Sequence, residues 1–254
     1  MAEVDVVETE KVVEEARSTL KQLNDLQYEL RDYERRRGEI LRMYSTGQVS
    51  REVYEGLMNE LRQKMLPIVK KYFEAKGGLR ELESKLRLLV TRLSVEAKAS
   101  ESSLYRASFE RDQRIRQVLN RVGGALEDVQ NSLKSVDVER ELRMLDVLLD
   151  ALPREEVNVW RQAINEVVES WSRIRFSYAG RIEEIERRIE TLNDMLRELE
   201  IRFAVGEFER VDYEARRSST EKEMSELQSQ LEGLQEKLED LDLIAARCRE
   251  FLKR

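Results

Sequence analysis

Gly47 and Gly206 lie 159 residues apart, and one pattern surrounds both. It reads aromatic, two residues, glycine, one residue, apolar, then four residues before Tyr-Glu. Tyr44, Gly47, Val49, Tyr54 and Glu55 supply it first, and Phe203, Gly206, Phe208, Tyr213 and Glu214 supply it again. Apolar residues recur at matched distances from each glycine. Leu23, Leu26, Leu30, Tyr33, Ile40 and Tyr44 precede the first, and Ile182, Ile185, Ile189, Leu192, Leu199 and Phe203 precede the second. One position departs, with Arg37 standing where the second series has Leu196. After the turns, Tyr54, Met65, Ile68, Tyr72, Leu79 and Leu82 match Tyr213, Met224, Leu227, Leu231, Leu238 and Leu241. Most steps alternate three and four, which is the seam of a heptad coiled coil.

A glycine between two such seams predicts a helix that stops, turns and comes back on itself. Gly47 and Gly206 supply the φ > 0 that closes a helix in a left-handed cap. Val49 and Phe208 are expected to bury themselves in the short link. Ser50 is placed to cap the next helix, with Glu52 in its first turn. Glu209 and Asp212 offer carboxylates there in the second copy. Tyr54 and Tyr213 should pack back on Tyr44 and Phe203.

The predicted fold is therefore all-α: two elongated, register-matched antiparallel hairpins joined by a middle helical segment. The first hairpin covers residues 1–98, with helices over 4–46 and 50–98. The middle segment covers 99–152. The second hairpin covers 153–254, with Pro153 suiting a first helical position and helices over 153–205 and 209–253. At 1.5 Å per residue each arm is on the order of 65–75 Å long. Trp160, Ile164, Val167, Trp171, Ile174 and Tyr178 carry the seam along the start of the third arm. Gly180 marks a stutter where the supercoil relaxes.

Within the middle segment, Ile115, Leu119, Val122, Leu126, Val129 and Leu133 form one seam. The phase slips at Asp137, and Val138, Leu142, Leu145, Leu149 and Leu152 form another, which predicts a helix break there. Ser94 to Ser103 is less apolar and reads as a joint. Gly77-Gly78 and Gly123-Gly124 either allow close helix approach, mark flexible points or are tolerated defects. Pro67 is expected to kink its helix.

Composition fits long helices. Charged residues are 38% and apolar residues 41%, with 10 Gly and only 2 Pro, against roughly 18 and 13 for average usage. The net charge of −7 from interleaved signs gives no general attraction to nucleic acid. Near the first turn, Arg31, Arg35, Arg36, Arg37 and Arg42 alternate with Asp32, Glu34 and Glu39 and read as a mixed-charge face. No apolar run is long enough to cross a membrane. One cysteine and an acidic N-terminus without a signal pattern lead to the expectation of a reducing cytoplasm.

Catalytic chemistry finds little to stand on. The chain has 0 histidines, which removes the commonest general base and metal ligand. It contains no phosphate-binding glycine loop. Cys248 lies on a seam between Arg247 and Arg249 and reads as a small core residue rather than an activated thiolate. No catalytic, cofactor or metal residue is assigned, no cofactor is expected, and the chain is read as a non-enzyme.

The Gly-x-Val-Ser-x-x-x-Tyr-Glu element, carried by Gly47, Val49, Ser50, Tyr54 and Glu55, resembles a helical-hairpin motif of archaeal and bacterial coiled-coil proteins. In whole-chain layout the sequence resembles the coiled-coil region of archaeal CdvA-type cell-division proteins. The resemblance covers that region alone. No counterpart of the family's small β-barrel is expected here, and the last helix is expected to run to the final residue, where the family carries a recruiting tail. The resemblance implies a scaffold of a division or membrane-remodelling assembly, with an ESCRT-III-like partner.

The leading expectation is a scaffold that self-associates or binds a protein partner through helix faces. The alternative is an adaptor or chaperone-like clamp gripping a partner between its hairpins. Leu88, Val90, Leu243 and Ile244 lie beside the seams, as does Tyr28, and form the candidate interaction face.

Overall fold

The computed structural model describes residues 6–101, 107–151 and 157–253. These are 94% helix with no strand. Six helices follow in order: α1 (Val6–Ser45), α2 (Arg51–Glu101), α3 (Ala107–Lys134), α4 (Val138–Ala151), α5 (Val157–Ala204) and α6 (Arg210–Lys253). The break expected at Asp137 falls between α3 and α4. α2 continues to Glu101, through most of the joint expected over Ser94 to Ser103, whose last two residues lie outside the described residues. Pro153 lies outside the described residues.

Pro67 does not end α2. Its ring removes one backbone donor, leaving the Gln63 carbonyl without its helical partner. Gln63 and Pro67 are both exposed, so water reaches that carbonyl. At Gly77, Gly78, Gly123 and Gly124 an added Cβ would meet nothing within 4 Å, so close helix approach is not what holds glycine there.

The chain divides into two compact units. The first holds Met1–Asp137 with Asp150–Leu152, and the second holds Val138–Leu149 with Pro153–Arg254. The middle segment of 99–152 is thus not a body of its own, since α3 belongs to one unit and α4 to the other. A heptad seam announces a partner without saying which one, so continuous helical patterning concealed the split.

In the first unit α1 packs on α2, and α3 packs on both. Leu23, Leu26 and Leu30 of α1 and Tyr72, Leu79, Leu82 and Leu86 of α2 are buried, as the seams predict. On α3 the buried residues are Val118, Val122, Ala125 and Val129, while Leu119 and Leu126 are half-buried. That is a wider face than one seam, as a helix against two neighbours requires. Arg121 reaches Glu10 at 3.1 Å, and the Gln130 amide donates to Glu83 at 3.2 Å. These bonds set α3 beside α1 and α2 in register.

In the second unit α5 packs on α6. Trp160, Ile164, Val167 and Trp171 of α5 and Leu241, Ile244, Ala245 and Cys248 of α6 are buried. Side chains of α4 reach α6 at three successive levels: Glu139 to Lys237 at 2.6 Å, Arg143 to Asp240 at 3.8 Å, and Asp146 to Arg247. Both numbers in each pair rise together, so α4 runs parallel to α6. Glu139 also accepts from the Tyr178 hydroxyl of α5, so one carboxylate ties three helices. Asp242 accepts from the Trp171 indole at 3.0 Å and pairs with Arg175 at 2.8 Å. This gives the one polar atom of a fully buried indole its partner.

Candidate functional site: two glycine turns and the surfaces beside them

The two turns have the same geometry bond for bond. Gly47 has φ 71 and Gly206 has φ 81, and no other described residue has positive φ. The Gly47 N–H donates to the Tyr44 carbonyl and the Gln48 N–H to the Met43 carbonyl. Gly206 donates to Phe203 and Glu207 to Arg202 in the same way. This is the paired-bond cap that satisfies the last carbonyls of a helix and requires a left-handed residue at its centre. Tyr44 stacks on Tyr54 at 4.5 Å between centroids, and Phe203 on Tyr213 at 4.2 Å. Arg51 pairs with Glu55 at 2.8 Å, and Arg210 with Glu214 at 2.8 Å.

The copies differ at the start of the returning helix. The Ser50 hydroxyl accepts from the Val53 N–H at 3.4 Å. Among the described residues neither Glu209 nor Asp212 makes the corresponding side-chain bond. Val49 and Phe208 are half-buried rather than buried. Phe208 is instead covered by the Arg216 guanidinium, 4.6 Å above its ring.

A β-branched residue resists φ > 0, so Gly47→Val and Gly206→Val should each destabilise their own unit. The expected loss is about 1–2 kcal/mol, the usual penalty of the left-handed conformation. Thermal melts check this: wild-type midpoints in both variants would refute it, and Gly→Asn should cost less.

Two of the five arginines in the run near the first turn are internally paired. Arg35 reaches Asp32 at 2.6 Å and Glu39 at 3.3 Å, and Arg36 reaches Asp32 at 2.8 Å. The Arg35 hydrogen bond, helped by Arg36, holds the Asp32 carboxyl below its ordinary range. Arg37 and Arg42 form no ion pair among the described residues.

The four residues of the candidate interaction face differ in exposure. Leu88 is 61% exposed and Leu243 63% exposed, while Val90 is half-buried. Ile244 is only 7% exposed and is a core residue of this chain, so it is not available to a partner. The ladder of α4 side chains along Lys237, Asp240 and Arg247 covers that part of α6 within the same unit. Most exposed apolar side chains lie elsewhere. Among the described residues, eight of the sixteen large exposed apolar side chains belong to the stretches 41–57 and 201–211 around the turns. They include Leu41, Met43, Val53, Ile201, Val205 and Val211.

Cys248 is buried, and its thiol is pushed up to about 12, chiefly by burial and next by the nearby Asp146 carboxylate. It is no nucleophile at neutral pH. Unfolding returns the thiol to its ordinary value of 9.0. Below that value the thiol is protonated in both states and adds no pH dependence. Between about 9 and about 12 the unfolded chain gives up a proton that the folded chain keeps, so stability falls as pH rises. The expected slope is up to about 1.4 kcal/mol per pH unit. Denaturant titrations of wild type and Cys248→Ala across that window should diverge by this slope; parallel curves would refute it.

Among the described residues no group of His, Cys, Asp or Glu could hold a metal ion, and no helix is long and apolar enough to cross a membrane. Compared with known proteins, the chain matches no family model, no curated protein and no solved structure.

Proposed function

We propose that this protein is a non-catalytic scaffold built as two register-matched antiparallel coiled-coil hairpins, which associates with further copies of itself through exposed helix surfaces. The observation that carries the reading is the concentration of exposed apolar side chains around the two turns, where half of them fall in two short stretches. Scattered single apolar residues need no explanation, but their gathering at two matched places does. The 159-residue offset that relates every backbone bond of the two turns supports the register match. The half-burial of Ile182, Ile185, Ile189, Leu227, Leu231 and Leu234 supports a two-helix seam, where each side chain has one neighbour to cover it. The setting we propose, a division or membrane-remodelling assembly, rests on the resemblance of the turn residues to CdvA-type proteins.

Light scattering after size exclusion tests the reading. The mass should exceed that of one chain at about tens of micromolar and rise with concentration. A constant single-chain mass would overturn it.

A further inference from the structure

The two turns share a backbone but not a surface. Over 35–57 the first carries five arginines against three carboxylates. Over the matching 194–216 the second carries four arginines against seven carboxylates. Internal pairs account for much of this: Glu198 and Glu207 share Arg202, and Asp194 holds Arg197. Glu52 and Asp212 each stand in the first turn of a helix, where the dipole offsets their charge. The first turn is then left with Arg37 and Arg42, and the second with Glu200, Glu209 and Arg216, the last lying over the Phe208 ring; none of them is ion-paired among the described residues. The two surfaces are opposite in sign.

The exposed apolar residues follow a matching exchange. Leu41-Arg42 in the first copy corresponds to Glu200-Ile201 in the second, so apolar and charged side chains swap places. In a two-fold arrangement whose axis passes between these two positions, each position of one surface meets the neighbouring position of the other. A first turn against a first turn would set Leu41 on Arg42, and a second against a second would set Glu200 on Ile201. A first turn against a second sets Leu41 on Ile201 and Arg42 on Glu200, giving one apolar and one charge-paired contact.

We propose that the occupant of the first turn's exposed surface is the second turn of another copy of this chain. The contact is heterologous, so it leaves one unused turn of each kind and links copies in series, as a ring or an open chain. This rests on the self-association reading above and specifies its interface. Its charged component is exposed at the rim, so added salt should weaken it.

Two full-length variants test it. Leu41→Glu with Arg42→Glu blocks the first turn, and Ile201→Glu with Val205→Glu blocks the second. All four positions are exposed, and circular dichroism should match wild type. Wild-type mass is expected to climb past two chains with concentration. Each variant alone should stay at one chain, with self-association weakened by at least about tenfold, the change for 1.4 kcal/mol. Their equimolar mixture should stop at two chains, one of each, because one intact turn of each kind remains. If either variant dimerises alone, or both assemble like wild type, the pairing of unlike turns is wrong while self-association stands. If wild type never exceeds one chain, the scaffold reading falls as well.

Discussion

Trp171→Ala should destabilise the second unit by about 3–5 kcal/mol, the scale for removing a large buried aromatic. Trp171 is 0% exposed, lies 5.8 Å from Tyr178 between ring centroids, and donates its indole N–H to Asp242. Alanine leaves a cavity and takes one of two partners from the Asp242 carboxylate. Trp171→Phe keeps most of the volume, and Arg175 keeps Asp242 paired, so the loss should be much smaller. The readout is built in. The chain has 2 tryptophans, Trp160 and Trp171, and both lie on α5. Fluorescence of the remaining Trp160 therefore reports the second unit alone, while circular dichroism reports every helix. A fluorescence midpoint at the wild-type value would show that the indole carries no packing load.

The adjacent pair Leu243 and Ile244 gives a second large contrast. Ile244→Glu should cost about 3–5 kcal/mol, the scale of an uncompensated buried charge. Leu243→Glu should change the unfolding free energy by no more than about 0.5 kcal/mol, as exposed positions do. Urea titrations followed by tryptophan fluorescence separate the two. Equal midpoints would mean that α6 does not present Ile244 inward.

Much of the fold could be read from the chain. Helix limits followed from where the seams begin and end, because glycine φ and capping are local matters. The phase slip at Asp137 located the α3–α4 break for the same reason. Which helix covers which seam was not readable. Ile244 illustrates this: beside the α6 stripe it looked available to a second chain, yet it is buried within its own. A heptad pattern records that a face is apolar, and only the three-dimensional path of α4 decides what buries it. The likeness of the turns was visible in the residues. Their unlike charge balance was visible there too, but which charges stay unpaired needed the ion pairs to be known, since Arg35 and Arg36 are spent on Asp32 and Glu39 while Arg42 is not.

Except for Asp150–Leu152, the first unit is one unbroken stretch of chain, with every helix it contains finished before Val138. Its principal contacts join neighbours along the chain, α1 to α2 and α2 to α3. Such local topology folds quickly and asks little of distant residues. On a ribosome, this half can therefore settle while the remainder is still being made. The second half differs, because α4 must await both long helices that follow it before Glu139, Arg143 and Asp146 meet their α6 partners. Synthesis thus delivers the first turn's surface to solution before the second turn has been translated, and so before its own chain could compete with a finished neighbour for it.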